Sequence, residues 1–231
     1  RRHGPLRAPR AEPPASLAWR DFARFGRPFW LLFALCLLWY AAIVAFRSTF
    51  SIKYFQHAHG LELAAAGAVN SAVYLAAIFA TPLFGWLSDR LARPATLLAA
   101  GVLLLPVALA SMASGGLPLW LGTLAIGVSY SLGPAVLWPL ASQLVARERL
   151  GSALALMTIG LNLGIAGANL AAGHLNDRFA ADAANPAGYL PMMALFIAGG
   201  IAGFLCALRL REIEGDSPVR RSLMKGTVPF D

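Results

Sequence analysis

The most constraining feature of the sequence is the length of its uncharged apolar segments. No Lys, Arg, Asp or Glu occurs at positions 63–87 or 94–145. A helix needs about 20 apolar residues to cross the ~30 Å hydrocarbon core of a bilayer. Six runs meet this requirement: residues 29–50, 63–87, 94–113, 117–145, 150–172 and 188–208. Because these runs are too long and continuous for barrel strands, the sequence predicts an all-α membrane protein with six transmembrane helices.

The distribution of charge supports this prediction and argues against a nucleic-acid partner. Only 13% of the residues are charged, well below the roughly 25% of a soluble domain. The net charge of +8 comes from basic residues in short hydrophilic segments rather than from one basic face, so we predict no binding of nucleic acid. Residues 1–28 are expected to form a basic linker, and residues 209–231 a basic tail.

The basic residues also predict the orientation of the chain. Four loop arginines fall on the same side of the predicted membrane as the basic linker and tail: Arg90, Arg93, Arg147 and Arg149. Lys53 and Arg178 fall on the opposite side. Since cytoplasmic loops are enriched in Lys and Arg, we expect both termini in the cytoplasm.

A short motif occurs twice in the chain. Residues 85–90 read Gly-Trp-Leu-Ser-Asp-Arg, and residues 173–178 read Gly-His-Leu-Asn-Asp-Arg. Each copy closes an apolar run, and the copies divide the six runs into two units of three. An odd number of spans inverts one unit relative to the other, so we predict a 3+3 inverted repeat, which is typical of transporters.

The first copy belongs to a longer pattern. The sequence Gly85-x-Leu-Ser-Asp89-Arg90-x-x-Arg93 resembles the signature loop of the major facilitator superfamily, between the second and third helices of a bundle. Five further segments resemble the C-terminal half of one branch of this superfamily, which contains lysosomal dipeptide carriers and their bacterial relatives. These segments are residues 69–74, 127–132, 137–140, 150–153 and 161–164. The resemblance implies the C-terminal six-helix bundle of a twelve-helix carrier, whose partner is an N-terminal six-helix half in the same or a separate chain.

The resemblance also implies that the signature loop, formed by Gly85, Asp89, Arg90 and Arg93, is a gate. In such a carrier the aspartate closes one face of a central cavity by contacting a helix N-terminus of the other half. Gly85 would permit close approach of the backbone. Ala92 replaces the usual glycine of the signature, which would loosen these contacts. The alternative is a solvated turn that only sets the topology.

Polar side chains on helical stripes predict a solute cavity. At 100° per residue, the polar residues within the first, second and fifth runs share a face in each run. The predicted site consists of Tyr40, Arg47, Asn70, Tyr74, Tyr130, Trp138, Asn162 and Asn169. Such a set suits a small polar, zwitterionic or anionic solute. For the asparagines, hydrogen bonding between helices is the alternative.

Arg47 is the one charged residue predicted within a span. An intramembrane arginine suits a carboxylate or phosphate ligand, but its position near the outer end of the first run also permits contact with the interface. No Asp or Glu lies within a run. A proton-coupling group therefore lies in the other half, or transport is uncoupled.

These features predict a secondary transporter that moves a small polar solute, a dipeptide or an amino-acid-like molecule, by alternating access. A sugar or organic-anion carrier, and a non-transporting scaffold or receptor with the same fold, are the alternatives. We predict no enzymatic activity, no cofactor and no metal site, because His57, His59 and Glu62 lack a further fixed ligand. The expected location is the bacterial inner membrane, or the lysosomal membrane if the chain comes from an animal.

Overall fold

The computed structural model describes residues 25–91 and 93–215, which are helical and contain no β-strand. Within these described residues, six helices are long and apolar enough to span a membrane: α1 (Arg27–His59), α2 (Leu63–Leu91), α3 (Pro94–Ser114), α4 (Leu119–Gln143), α5 (Arg147–Arg178) and α6 (Pro186–Gly215). The prediction of an all-α membrane protein with six transmembrane helices is confirmed. Most of the predicted linker and tail lies outside the described residues.

The first helix is longer and less regular than its apolar run. Its α-helical segments, Arg27–Leu35, Ala41–Ala45 and Ser51–His59, alternate with π-helical segments at Cys36–Tyr40 and Phe46–Phe50. The helix continues nine residues beyond the predicted span. It ends at Gly60, whose φ of +67° is a left-handed conformation that glycine adopts without steric cost.

The other helices have smaller irregularities. α3 consists of Pro94–Val102 and Leu104–Ser114, and α4 consists of Leu119–Leu132, a π-helical segment Gly133–Leu137, and Trp138–Gln143. α5 and α6 begin with 3₁₀ turns at Arg147–Arg149 and Pro186–Tyr189, followed by Leu150–Arg178 and Leu190–Gly215. The fourth helix thus contains a π-helical segment without a break in the helix.

Equivalent helices of the two three-helix units have similar features. α1 and α4, the first helix of each unit, both contain π-helical segments. α2 and the α-helical part of α5, the second members, each have 29 residues. These two are also the least buried helices. In the most apolar 18-residue stretch of each, 17% and 22% of the residues are buried, against 33–61% in the other four helices. The bundle thus leaves one helix of each unit largely uncovered.

Polar and close backbone contacts hold the covered helices together. The buried Trp39 of α1 donates from Nε1 to Ser129 Oγ of α4 (3.1 Å), and Ser129 Oγ donates to the Gly101 carbonyl of α3 (2.9 Å). α2 and α4 approach so closely at Gly127 that an added Cβ would lie 2.7 Å from Ala76 Cβ. Small residues that permit such approach are typical of helix interfaces in membranes.

Candidate solute-binding site

Arg47 lies in the second π-helical segment of α1 and points between two aromatic rings. Its Cζ atom is 4.6 Å from the ring centroid of Tyr74 on α2 and 5.8 Å from that of Tyr130 on α4. Both distances are within the range of cation–π attraction. Arg47 Nε is buried and has no hydrogen-bond acceptor among the described residues. The guanidinium is therefore held by π-faces, while an N–H donor is left for another acceptor.

The tyrosines are themselves positioned by packing. The rings of Tyr40 and Tyr130 are stacked, with centroids 5.5 Å apart and an interplanar angle of 21°. Tyr40 also packs onto Gly133, where an added Cβ would lie 2.5 Å from the tyrosine ring. We call Arg47, Tyr40, Tyr74 and Tyr130 the arginine cage. Four of the eight side chains that the sequence assigns to the site thus lie together.

Asn70 lies beside the cage but is engaged in helix packing. Ser51 Oγ lies 2.8 Å from the Arg47 carbonyl and 3.0 Å from Asn70 Oδ1, and it can donate to either. This contact joins α1 to α2 one turn beyond Arg47. Sequence reasoning missed Ser51, because the predicted first span ends before it.

The remaining predicted site residues have different environments. Asn162 is exposed and its Nδ2 donates to the Thr158 carbonyl of its own helix (2.8 Å). Trp138 is half-buried and packs against the apolar core. Asn169 is half-buried, and its Oδ1 atom is buried without a donor among the described residues. The structure therefore does not place Asn162 or Trp138 in contact with the cage.

The signature loop contacts little of the described chain. Asp89 is exposed and has no hydrogen bond or ion pair among the described residues, while Arg90 Cζ lies 5.0 Å from the ring centroid of Trp86. A Cβ added at Gly85 would meet no atom of the described bundle within 4 Å. The close backbone approach predicted at Gly85 is thus not made within the described bundle. Arg93 is also exposed.

A carboxylate that sequence reasoning missed holds the end of this loop. Glu214 of α6 accepts hydrogen bonds from the Ala95 backbone N–H (3.1 Å) and from Thr96 Oγ1 (3.4 Å). It caps the N-terminus of α3, where a carboxylate is favourable because the first N–H groups of a helix lack intrahelical partners. Glu214 falls in the predicted tail, since the sixth apolar run ends before it.

Comparison with known sequences assigns the family. Residues 29–229 match the sequence model of the Major Facilitator Superfamily. The chain belongs to the major facilitator superfamily. This membership agrees with the six membrane-spanning helices and the signature loop, and it confirms the resemblance seen in the sequence.

Individual superfamily relatives share moderate identity with the chain. It is 30% identical over 178 residues to the lysosomal dipeptide transporter MFSD1 of Bos taurus. These aligned residues make up 77% of this chain and 36% of the relative. The Danio rerio protein of the same name is 32% identical over 178 residues (77% and 37%), and that of Gallus gallus 31% over 160 residues (68% and 35%). The chain spans about a third of the length of these relatives, which are named as transporters.

Proposed function

We propose that this chain is the C-terminal six-helix half of a carrier that moves a small polar solute by alternating access. The observation that carries the proposal is the arginine cage. A cation held between two π-faces with an unused donor is suited to bind an acidic group that arrives and departs. Such a group would need a route to the cage. Tyr74 is 47% exposed, so the cage has an open side at this residue.

The uncovered helices support a second half as the partner. Large apolar side chains are exposed along α2 and α5: Leu75, Ile78, Phe79, Leu83 and Trp86 on α2, and Ile159, Leu163 and Leu170 on α5. The cage opens beside α2, so a partner bundle packed on this face would enclose it. A solute would then lie between the two halves, where sites of inverted-repeat transporters are found. Asp89 of the signature loop would close the cytoplasmic side by contacting the partner.

The solute class follows from the charge of the cage. Arginine binds carboxylates through paired N–H donors, and the three relatives described above are named as dipeptide transporters. We therefore propose a dipeptide or an amino-acid-like molecule as the solute, carried without ion coupling. An organic anion is the second candidate, because Arg47 is compatible with any carboxylate. A sugar is less suited, since it offers no acidic group to the guanidinium.

The proposed location is a bacterial inner membrane with both termini in the cytoplasm, or a lysosomal membrane if the chain is of animal origin. The exposed basic residues Arg90, Arg93 and Arg147 lie at or between the helix ends that this orientation places in the cytoplasm.

Reconstitution of the complete protein in liposomes tests the proposal. We expect saturable dipeptide exchange that Arg47→Ala abolishes and Lys53→Ala leaves intact. Lys53 is a matched control, because it lies on the same helix, carries the same charge and is exposed. Exchange that survives Arg47→Ala would contradict the role of the cage. A complete protein that moves no peptide, organic anion or sugar, but holds a stable partner, would favour the scaffold alternative.

A further inference from the structure

The start of α1 and the end of α6 form a groove that the proposed solute site does not use. Its volume is about 480 Å³. Three residues of each helix line it: Arg27, Trp30 and Leu31 of α1, and Arg209, Glu212 and Ile213 of α6. We call this space the α1–α6 groove. Two arginines from two different helices thus border one open space.

The α1–α6 groove lies where the helices leave the hydrocarbon. Arg27 stands two residues before the first apolar run, and Arg209 directly follows the sixth run. Because consecutive spans alternate in direction, the start of α1 and the end of α6 are on the same side of the membrane. Trp30 is 41% exposed, and tryptophan is enriched at the boundary between hydrocarbon and water. A ligand in the groove would therefore lie at the level of the lipid headgroups.

The arginines of the groove can accept an anion. Arg27 is exposed and has no ion pair with any described residue. Arg209 Nη1 lies 2.9 Å from Glu212 Oε2, but the two side chains are 72% and 62% exposed. Such an exposed pair is weak, and the guanidinium has further N–H donors. With two cations and one carboxylate, the groove keeps a net positive charge, and paired guanidinium donors match the oxygens of a phosphate group.

The surface next to the groove is apolar and faces outward. Leu205 and Ile201 lie about one and two turns before Arg209 on α6, and they are 56% and 47% exposed. Residues four apart share one face of a helix, so this face leads from Arg209 toward the middle of the membrane. A soluble anion would leave these side chains uncovered. A phospholipid would cover them with its acyl chains while its headgroup meets the arginines.

We propose that the α1–α6 groove binds an anionic phospholipid, with its phosphodiester between Arg27 and Arg209 and its acyl chains along α6. The groove is separate from the arginine cage, and the inference does not depend on the proposed transport function. No residue of α2 or α5 lines the groove. The exposed faces of those helices are the proposed contact with the second half, so the lipid would bind elsewhere, on the outer surface of the bundle.

The test is lipid binding to the complete protein in detergent, measured by native mass spectrometry and by thermal unfolding. The probes are dioleoylphosphatidylglycerol, which is anionic, and dioleoylphosphatidylcholine, which has the same acyl chains and no net charge. We expect phosphatidylglycerol to bind more tightly and to raise Tm, since it is a ligand of the folded state. Arg27→Gln and Arg209→Gln should each weaken its binding about tenfold, the lower end of the range for hydrogen bonds between charged groups.

Two further variants make the test specific to the groove. Arg211→Gln is a matched control, because Arg211 is an exposed arginine at the same end of α6 that does not line the groove. It should leave phosphatidylglycerol binding within about twofold, since screening weakens distant exposed charges. Glu212→Gln removes the carboxylate that competes with the phosphate for Arg209. It should tighten binding about two- to fivefold.

Four results would overturn the inference. The first is equal binding of phosphatidylglycerol and phosphatidylcholine. The second is a loss in Arg211→Gln as large as that in Arg209→Gln, because net charge would then explain the effect. The third is displacement of phosphatidylglycerol by inorganic phosphate at equal concentration, which would make the groove a site for free phosphate. The fourth applies if an arginine variant does not fold, and it is binding that Glu212→Gln fails to tighten. None of these results depends on transport, so a failure of the proposed function is distinguishable.

Discussion

The contact between α2 and α4 at Gly127 leads to a quantitative prediction for Gly127→Ala. The new methyl group would lie 2.7 Å from Ala76 Cβ and 2.9 Å from Val73 Cα, while ordinary contact begins at 3.4 Å. The Val73 carbonyl is also among its neighbours. Two of these three atoms belong to the backbone, so relief requires the helices to move apart rather than one side chain to turn.

The expected cost follows from two opposing effects. Overpacking of a well-packed interface costs about 1–3 kcal/mol. Alanine favours the helix over glycine by up to about 1 kcal/mol, which offsets part of this cost. We expect a net destabilisation of roughly 1–2 kcal/mol. Gly127 is one turn from Tyr130, and Val73 precedes Tyr74, so separation of these helices should also widen the arginine cage and weaken solute binding.

Thermal unfolding of the complete protein in detergent measures the effect, and Gly67→Ala is the matched control. Gly67 lies on α2, and a Cβ there would meet no atom of the described residues within 4 Å. Within the described bundle only the gain in helix propensity applies, so Gly67→Ala should leave Tm unchanged or raise it. A Gly127→Ala variant as stable as Gly67→Ala would refute the argument, because the close contact would then carry no energetic consequence.

Three further predictions concern the cage, the gate and the helix cap. Tyr74→Leu should raise KM for a carboxylate-bearing solute about two- to fivefold by removing one π-face, whereas Tyr74→Phe should not. Asp89→Asn should change the alkylation of cysteines placed in the cage, since the proposed gate would open more readily; unchanged alkylation would count against a gating role. Glu214→Gln should destabilise the protein by about 1 kcal/mol in thermal unfolding. Glu212→Gln removes only an exposed pair with Arg209 and should cost less than half of that.

The number and class of the helices could be predicted from the sequence because apolar length alone specifies a membrane span. The position at which α1 ends could not be predicted from the sequence. Its last segment, Ser51–His59, includes Lys53, His57 and His59, and thus lacks the composition of a span. Tyr54 and Phe55 of this segment are buried by neighbouring helices. Tertiary packing, rather than local sequence, extends the helix.

The arginine cage was predictable only in part. Helical phase selected Arg47, Tyr40 and Tyr74, because each lies on a polar stripe of its own helix. Phase could not show which stripes meet, since the π-helical segments Phe46–Phe50 and Gly133–Leu137 change the local register of α1 and α4. Glu214 was missed for a different reason, because a cap supplied by a distant helix has no local signal.

The position of Arg47 also bears on how the chain enters the membrane during synthesis. An arginine at the centre of an inserting helix costs about 2.5–3.5 kcal/mol, and each Leu, Ile, Phe or Val contributes about −0.3 to −0.6 kcal/mol. Roughly eight such residues therefore offset one arginine. Residues 29–46 contain ten of them, and α1 holds the most apolar stretch of the six helices. The helix that carries the binding cation can thus partition into lipid before the helices that follow it in this bundle are present to receive it.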